Sequence, residues 1–241
     1  MQEAQLLICA AAKDLPWLNA CLHSVQKFWS SPHPPVIILT PECRKELPGI
    51  ITDLRAYVVF VAEELHPYVR LTADCYMTSH LVMFMDSHDM FTRSCSTKDF
   101  TFAGRPMVVM ERYGPSLCRP NADANCVANR RNIIEDLTGI TPQYEYTVRN
   151  PMVFHRYSIR RLREAIEVKN KRPLRDLILN CYPDYFSEFN FLASYCHDKE
   201  KSCYDWVAAD KPFNPVLKQF YGITDPTRGE DFAEVQRILN N

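Results

Sequence analysis

Five apolar residues, Leu81–Met85, stop abruptly at Asp86, and Ser87, His88 and Asp89 follow at once. A buried strand with such an end delivers carboxylate and imidazole groups together at one exposed edge. Asp86 and His88 are one residue apart across Ser87, so an irregular turn can aim both at one cation. A carboxylate with an imidazole suits Mn²⁺, Mg²⁺ or Zn²⁺. Asp89 is the alternative second acid. The competing reading is a loop of solvated polar residues that merely caps a strand. Lys13 and Asp14 form a second polar cluster, directly after the apolar run Leu6–Ala12. Arg70 and Asp74 stand one helical turn apart and can pair. His155 and His197 are further candidate ligands, and Glu188 opens an expected helix in "FSEF".

Positioning such groups takes a framework, and the composition bounds it. The chain has 241 residues, 46% hydrophobic and 24% charged, which suits a single globular domain over 1–241 and rules out bulk disorder. A formal net charge of −1 leaves no global basic field for nucleic acid or an anionic membrane. There are 6 glycines against 17 prolines, and neither G-x-G-x-x-G nor G-x-x-x-x-G-K-[ST] occurs. A dinucleotide-binding loop and a P-loop are therefore disfavoured. Ten cysteines are scattered without a C-x-x-C pair, which reads as buried free thiols in a reducing, cytoplasmic setting. No apolar run approaches the roughly 20 residues of a membrane helix. The ending "EDFAEVQRILNN" carries no termination signal, so the chain can be one domain of a longer protein.

Apolar runs predict buried strands at Leu6–Ala11, Val36–Leu39, Tyr57–Ala62 and Leu81–Met85. Between them, Asp14 caps a helix carrying Pro16 in its first turn. Pro67 starts another, with Leu71, Cys75 and Thr78 on one face. Strands alternating with helices predict an α/β domain with a mostly parallel central sheet flanked by helices. Ligands then bind beyond the carboxyl ends of the strands, where both polar clusters fall. Further strands are expected at Met107–Met110 and Met152–Phe154, and long loops around a site over 111–150. Helices are expected at Ser158–Val168, Leu174–Cys181, after Ser187, and at Gly229–Leu239. Tyr113, Tyr144, Tyr146, Tyr185 and Phe186 are expected to cluster near the site.

A strand ending in Asp also begins the haloacid-dehalogenase phosphatases. Their pattern wants a second Asp two residues on and Thr or Val two further, where this chain has His88 and Met90. The segment "YVRLTADCYMTSHLVMFMDSHDMF" instead resembles the "Y-x-R-L/LKAD…DSD-x-x-F" block of GT-A nucleotide-sugar glycosyltransferases, with "DSH" in place of DxD. "NPMVFHRYSIRRLREAIE" and "YFSEFNFLASY" are similar to later blocks of a small GT-A family found in bacteria and large DNA viruses. Two departures are His88 at the second DxD acid and Thr72 where a Lys is common.

The resemblance implies a GT-A fold, Rossmann-like, and a hexosyl- or deoxyhexosyltransferase. It implies Mn²⁺ or Mg²⁺ as cofactor, a UDP-sugar donor and a glycan hydroxyl acceptor, with an inverting course. Asp86 and His88 would hold the metal, with Asp89, His155 or His197 as further ligands. Lys13, Asp14, Arg70, Asp74, Asp86 and Ser87 would serve the nucleotide and donor. Glu188 would be the general base for the acceptor hydroxyl, with Asp184 second. The rival readings are a metal-dependent phosphohydrolase using Asp86 and Asp89, and a non-catalytic nucleotide-sugar-binding module.

Overall fold

A computed structural model describes residues 3–113, 124–147, 152–181, 186–210, 216–220 and 231–240. The strands are β1 (Ala4–Ala10), β2 (Trp29–Ser30), β3 (Val36–Leu39), β4 (Tyr57–Phe60), β5 (Leu81–Asp86), β6 (Asp89–Phe91), β7 (Cys95–Ser96), β8 (Thr101–Phe102), β9 (Arg105–Arg112), β10 (Tyr144–Glu145), β11 (Met152–His155), β12 (Asp205–Ala208) and β13 (Leu217–Gln219). The helices are α1 (Leu15–Phe28), α2 (Ile50–Asp53), α3 (His66–Arg70), α4 (Ala124–Thr138), α5 (Arg156–Asn170), α6 (Leu174–Cys181), α7 (Glu188–Lys199) and α8 (Asp231–Asn240).

The central sheet runs β11-β5-β1-β3-β4. The four strands β5, β1, β3 and β4 are parallel and β11 is antiparallel to β5. The strands are largely apolar because both faces are covered. Leu7, Cys9, Val36, Ile38, Val82 and Phe84 face the helices α4 to α7, while Leu6, Ile8, Ile37, Leu39, Met83 and Met85 pack on α1. α1 follows from Pro16 in its first turn and from Leu18, Cys21, Leu22 and Val25 buried at helical spacing. The chain proceeds from β1 to β3 and β4 on one side, then returns to place β5 on the other. This reversal opens a crevice at the carboxyl ends of β1 and β5.

A second sheet, β10-β9-β12, has β12 parallel to β9. The short ladders β13–β6 and β2–β7 brace the chain after β5. Among the described residues no helix is long and apolar enough to cross a membrane. The described cysteines Cys9, Cys21, Cys43, Cys75, Cys95, Cys196 and Cys203 are free thiols.

Two expectations need correction. The helix from Pro67 does not reach Thr78: α3 ends at Arg70 and a separate 3₁₀ turn covers Ala73–Cys75. The Thr72 hydroxyl donates to the carbonyls of Tyr68 (3.0 Å) and Val69 (3.2 Å), a side-chain alternative that competes with helix continuation. Within the region expected as loops lies α4, which buries Ile133, Ile134 and Leu137. It is closed by Gly139 at φ +77°, whose N–H donates to the Glu135 carbonyl at 2.7 Å. The many Asn and Arg residues of this segment masked the apolar spacing.

Gln5 sits fully buried in β1 and stitches the approaches to its two neighbouring strands. Its amide donates to the Pro34 carbonyl (2.8 Å) and its oxygen accepts from the backbone N–H groups of Thr78 (2.9 Å) and Ser79 (3.3 Å). Gln5→Leu leaves those backbone groups without partners. The expected cost is about 1–3 kcal/mol, read as a lower urea midpoint with an unchanged slope.

Candidate active site

The crevice between β1 and β5 is a cavity of about 370 Å³. Cys9, Ala10 and Ala11 line it from the end of β1, Asp86, Ser87 and His88 from the end of β5. Asp14 at the start of α1, Glu63, His66 and Arg70 around α3, and Gln219 and Phe220 complete the wall.

Asp86 stands opposite Cys9 in the β1–β5 register, so the sheet itself fixes its place. The turn after it is closed by Asp89, whose Oδ2 accepts the Asp86 backbone N–H at 2.8 Å. Asp89 is fully buried and heads β6, paired with Gln219 of β13. This carboxylate, expected as an alternative metal ligand, shapes the turn through that bond. The Phe220 N–H donates to the His88 carbonyl at 2.9 Å. His88 is thereby held by its backbone, while its ring lies 5.3 Å from that of Trp17. Its Nδ1 is 3.3 Å from Ser87 Oγ, and its Nε2 faces Asp14 Oδ1 at 3.7 Å.

Arg70 is the centre of the cavity floor. Its Nη2 donates to Asp86 Oδ1 at 2.9 Å and its Nη1 to Glu188 Oε1. The guanidinium lies 5.2 Å from the centre of the Phe189 ring. Side-chain exposures are 16% for Arg70, 35% for Asp86 and 9% for Glu188, so the cluster faces the cavity chiefly through Asp86. Burial disfavours the charged guanidinium, yet the carboxylates beside it hold its pKa well above the ordinary value. Burial pushes the adjacent Cys9 thiol up, so it is neutral here. Glu188 is fixed through the first turn of α7. Asn190 donates to Glu145 Oε1 (2.6 Å) and Ser187 Oγ (3.1 Å) and accepts from the Tyr146 N–H (2.9 Å), tying α7 to β10.

The structure brings Lys13, Asp14, Arg70, Asp86, Ser87, His88 and Glu188 to one end of the sheet, though not all to the cavity wall. Lys13 is on the rim, paired with Glu63 at 3.1 Å. Glu188 lies behind Arg70 and outside the lining. Asp74 is not the partner of Arg70, because α3 ends between them; Arg163 grips it through two N–H groups, at 2.5 and 2.8 Å. His155 is opposite Leu81 in the β11–β5 register, at the far end of β5 from Asp86. The antiparallel run of β11 puts it there, stacked on Tyr157 at 4.9 Å. His197 packs on Tyr144 and Trp206. None of the described aromatic candidates lines this cavity: Tyr146 is buried, Phe186 stacks on Phe191, Tyr113 packs on Arg131, and Tyr144 borders a separate cavity of about 690 Å³. Asp184 and Tyr185 lie outside the described residues.

Sequence reasoning missed His66, Glu63, Gln219 and Phe220. His66 was legible, since it precedes Arg70 by four residues and shares its helical face. Burial and the Arg70 charge lower its pKa, leaving a neutral imidazole, and its Nε2 is buried without a hydrogen-bond partner among the described residues. Gln219 and Phe220 carry no local signal, for they arrive through the β13–β6 pairing.

Among the described residues no three His, Cys, Asp or Glu side chains converge as a ready-made metal shell. The wall does carry three carboxylates, Asp14, Glu63 and Asp86, against one guanidinium. The imidazole of His88 stands beside them, its Nε2 3.7 Å from Asp14 Oδ1. That donor set fits a divalent cation completed by oxygens of a ligand, and not one enclosed by protein alone.

No protein-family profile matches the sequence, and no curated protein is significantly similar to it. Solved structures do resemble the fold. The apo-form glycosyltransferase GlyE of Streptococcus pneumoniae TIGR4 aligns with a TM-score of 0.52 at 10% identity, covering 100% of this chain and 62% of that one. This chain thus spans under two thirds of that protein's length. Glucosyl-3-phosphoglycerate synthase of Mycobacterium tuberculosis, solved with Mn²⁺, UDP and glucosyl-3-phosphoglycerate, aligns with a TM-score of 0.50 at 10% identity, covering 99% and 76%. The chain therefore has the α/β fold, with a mostly parallel central sheet, of the GT-A glycosyltransferases.

Proposed function

We propose that this chain transfers a glycosyl group from a nucleotide-sugar donor, a UDP-sugar, to a hydroxyl of a glycan acceptor. The observation that carries the reading is the bridge from Arg70 to the strand-end Asp86, inside a cavity at the switch point of a GT-A-like sheet. A volume of about 370 Å³ lies in the range of small-ligand sites. The synthase of like fold solved with Mn²⁺ and UDP supports the same donor class.

In glycosyl transfer the bond from the anomeric carbon to the donor diphosphate breaks, and charge develops on the departing oxygen. Arg70 is a permanent cation on the cavity floor, aimed by Asp86 from one side and Glu188 from the other. Such a preorganised charge stabilises a transition state without reorganisation cost. A divalent cation, when bound, supplies Lewis-acid stabilisation of the same leaving group. Asp14, Asp86 and His88 are the side chains that face its place. His66 offers the donor a neutral imidazole. The phosphohydrolase alternative has less support, since Asp89 is turned into the backbone and Asp86 is engaged by Arg70. An inverting course was expected to depend on Glu188 as base. Its bond to Arg70 and its place behind the wall favour a positioning role instead.

Three outcomes check this reading. UDP or a UDP-sugar should raise the melting temperature, whereas adenine or guanine nucleotides should do so less. Asp86→Asn should lower transfer by at least tenfold while the fold, followed by circular dichroism, persists. The third concerns Glu188. A proton acceptor loses about 10²–10⁴ in turnover as its glutamine variant. A residue that positions Arg70 is expected to lose far less in Glu188→Gln, which keeps an oxygen acceptor, than in Glu188→Ala. Steady-state kinetics of the two variants separates the roles.

A further inference from the structure

We propose a second ligand site, for a phosphate-type oxyanion, at the amino end of β5, where Arg156 and Arg160 of α5 and His80 line a cavity of about 350 Å³. Asp74 and Tyr157 complete its described wall. His80 directly precedes β5 and Asp86 ends it, so roughly 20 Å of strand separates this cavity from the crevice. The proposal does not rest on the nucleotide-sugar reading.

Arg156, Arg160, Arg161 and Arg163 crowd the first half of α5, and no acidic residue stands in its first turn. Cations at the amino end of a helix oppose its dipole, and like charges four residues apart repel. Arg156 and Arg160 are such a pair. Neighbouring carboxylates answer the others: Arg161 meets Glu200 at 3.1 Å, and Arg163 meets Asp74. Arg160 has Glu164 at 3.6 Å, with both side chains more than half exposed, a pairing of little strength. Among the described residues no carboxylate pairs with Arg156, whose Nη1 donates to the Met77 carbonyl at 2.7 Å. The net charge of the whole chain is −1, so this concentration of guanidinium groups is local.

The cavity is held in shape by its own backbone. The Arg156 N–H donates to the His80 carbonyl at 2.8 Å, joining the start of α5 to the start of β5. The Met77 carbonyl fixes the Arg156 guanidinium from the side, and a planar fork with one N–H so engaged keeps further donors for a ligand. Asp74 is the carboxylate among the described lining residues, and Arg163 holds both of its oxygens. Its charge is therefore already answered, and it does not cancel Arg156 or Arg160.

Guanidinium forks match the oxygens of a phosphate group, and an imidazole adds one more donor. A tetrahedral dianion has oxygens enough to meet Arg156, Arg160 and His80 together. Its charge offsets the repulsion within the arginine pair and is favoured beside the amino end of α5. A volume of about 350 Å³ lies at the lower end of small-ligand sites, room for inorganic phosphate or a small phosphate ester.

The test is a titration of the full chain with inorganic phosphate and with glycerol phosphate, followed in the ¹⁵N–¹H spectrum against chloride at equal ionic strength. The amide signals of His80, Arg156 and Tyr157 should shift, while those of Ala10, Ala11 and Ser87 report the crevice separately. Arg160→Gln changes an exposed side chain, so the fold should persist by circular dichroism, and phosphate affinity should fall by about tenfold. Arg160→Lys keeps the charge without the fork and should lose less. Phosphate should raise the melting temperature of the parent more than that of Arg160→Gln. The proposal is overturned if chloride reproduces the shifts, if Arg160→Gln leaves phosphate affinity unchanged, or if the crevice amides alone respond. Tighter binding of glycerol phosphate than of inorganic phosphate assigns the site to a phosphate ester, and the reverse order to the free ion.

Discussion

The site depends on one buried cation. Arg70 brings together residues at positions 70, 86 and 188, the end of a short helix, the end of a central strand and the first turn of a third element. A guanidinium taken out of water needs its carboxylates as much as they need it, so removing either side leaves an uncompensated charge. The same bond that settles this charge also sets the distance between the sheet and α7. Asn190 and Glu145 lock the far side of that arrangement by tying α7 to β10. The floor of the cavity is therefore rigid in the place where a leaving group would develop charge.

The sheet order explains why the cavity lies where it does. β1 has β3 on one side and β5 on the other, and the crossovers diverge from that seam. The carboxyl ends of β1 and β5 cannot both be covered by the connections that leave them. The turn after β5 is then shaped from within by Asp89 and from outside by the β13–β6 ladder. Those two supports convert a strand end into a wall bearing Asp86, Ser87 and His88 side by side. Of the three carboxylates on the wall, Glu63 is paired with Lys13 and Asp86 with Arg70.

Much of this framework was readable in the residues. Apolar runs marked the parallel strands because strands buried on both faces need continuous hydrophobicity, and Val36–Leu39 emerged with the expected bounds. α4 escaped because its Asn and Arg residues dilute the apolar stripe, and α3 came out shorter because the Thr72 hydroxyl competes for carbonyls four and three residues back. Strand-end position picked out Asp86 and His88, and first-turn position picked out Glu188, since local sequence decides where an element ends.

What local sequence could not decide is which groups meet. Asp74 and Arg70 are one turn apart in sequence, yet the helix stops between them and Arg163, 89 residues from Asp74, takes the carboxylate. His155 follows a strand end just as Asp86 does, but β11 runs antiparallel and carries it to the opposite edge. The sequence by itself determined the central strands, their burial and the polar residues at their ends, because these follow from period and composition. Only the tertiary structure decided that Arg70 joins Asp86 to Glu188 and that Asp14 faces His88. Those meetings depend on strand order and direction, which bring together residues that no spacing along the chain relates.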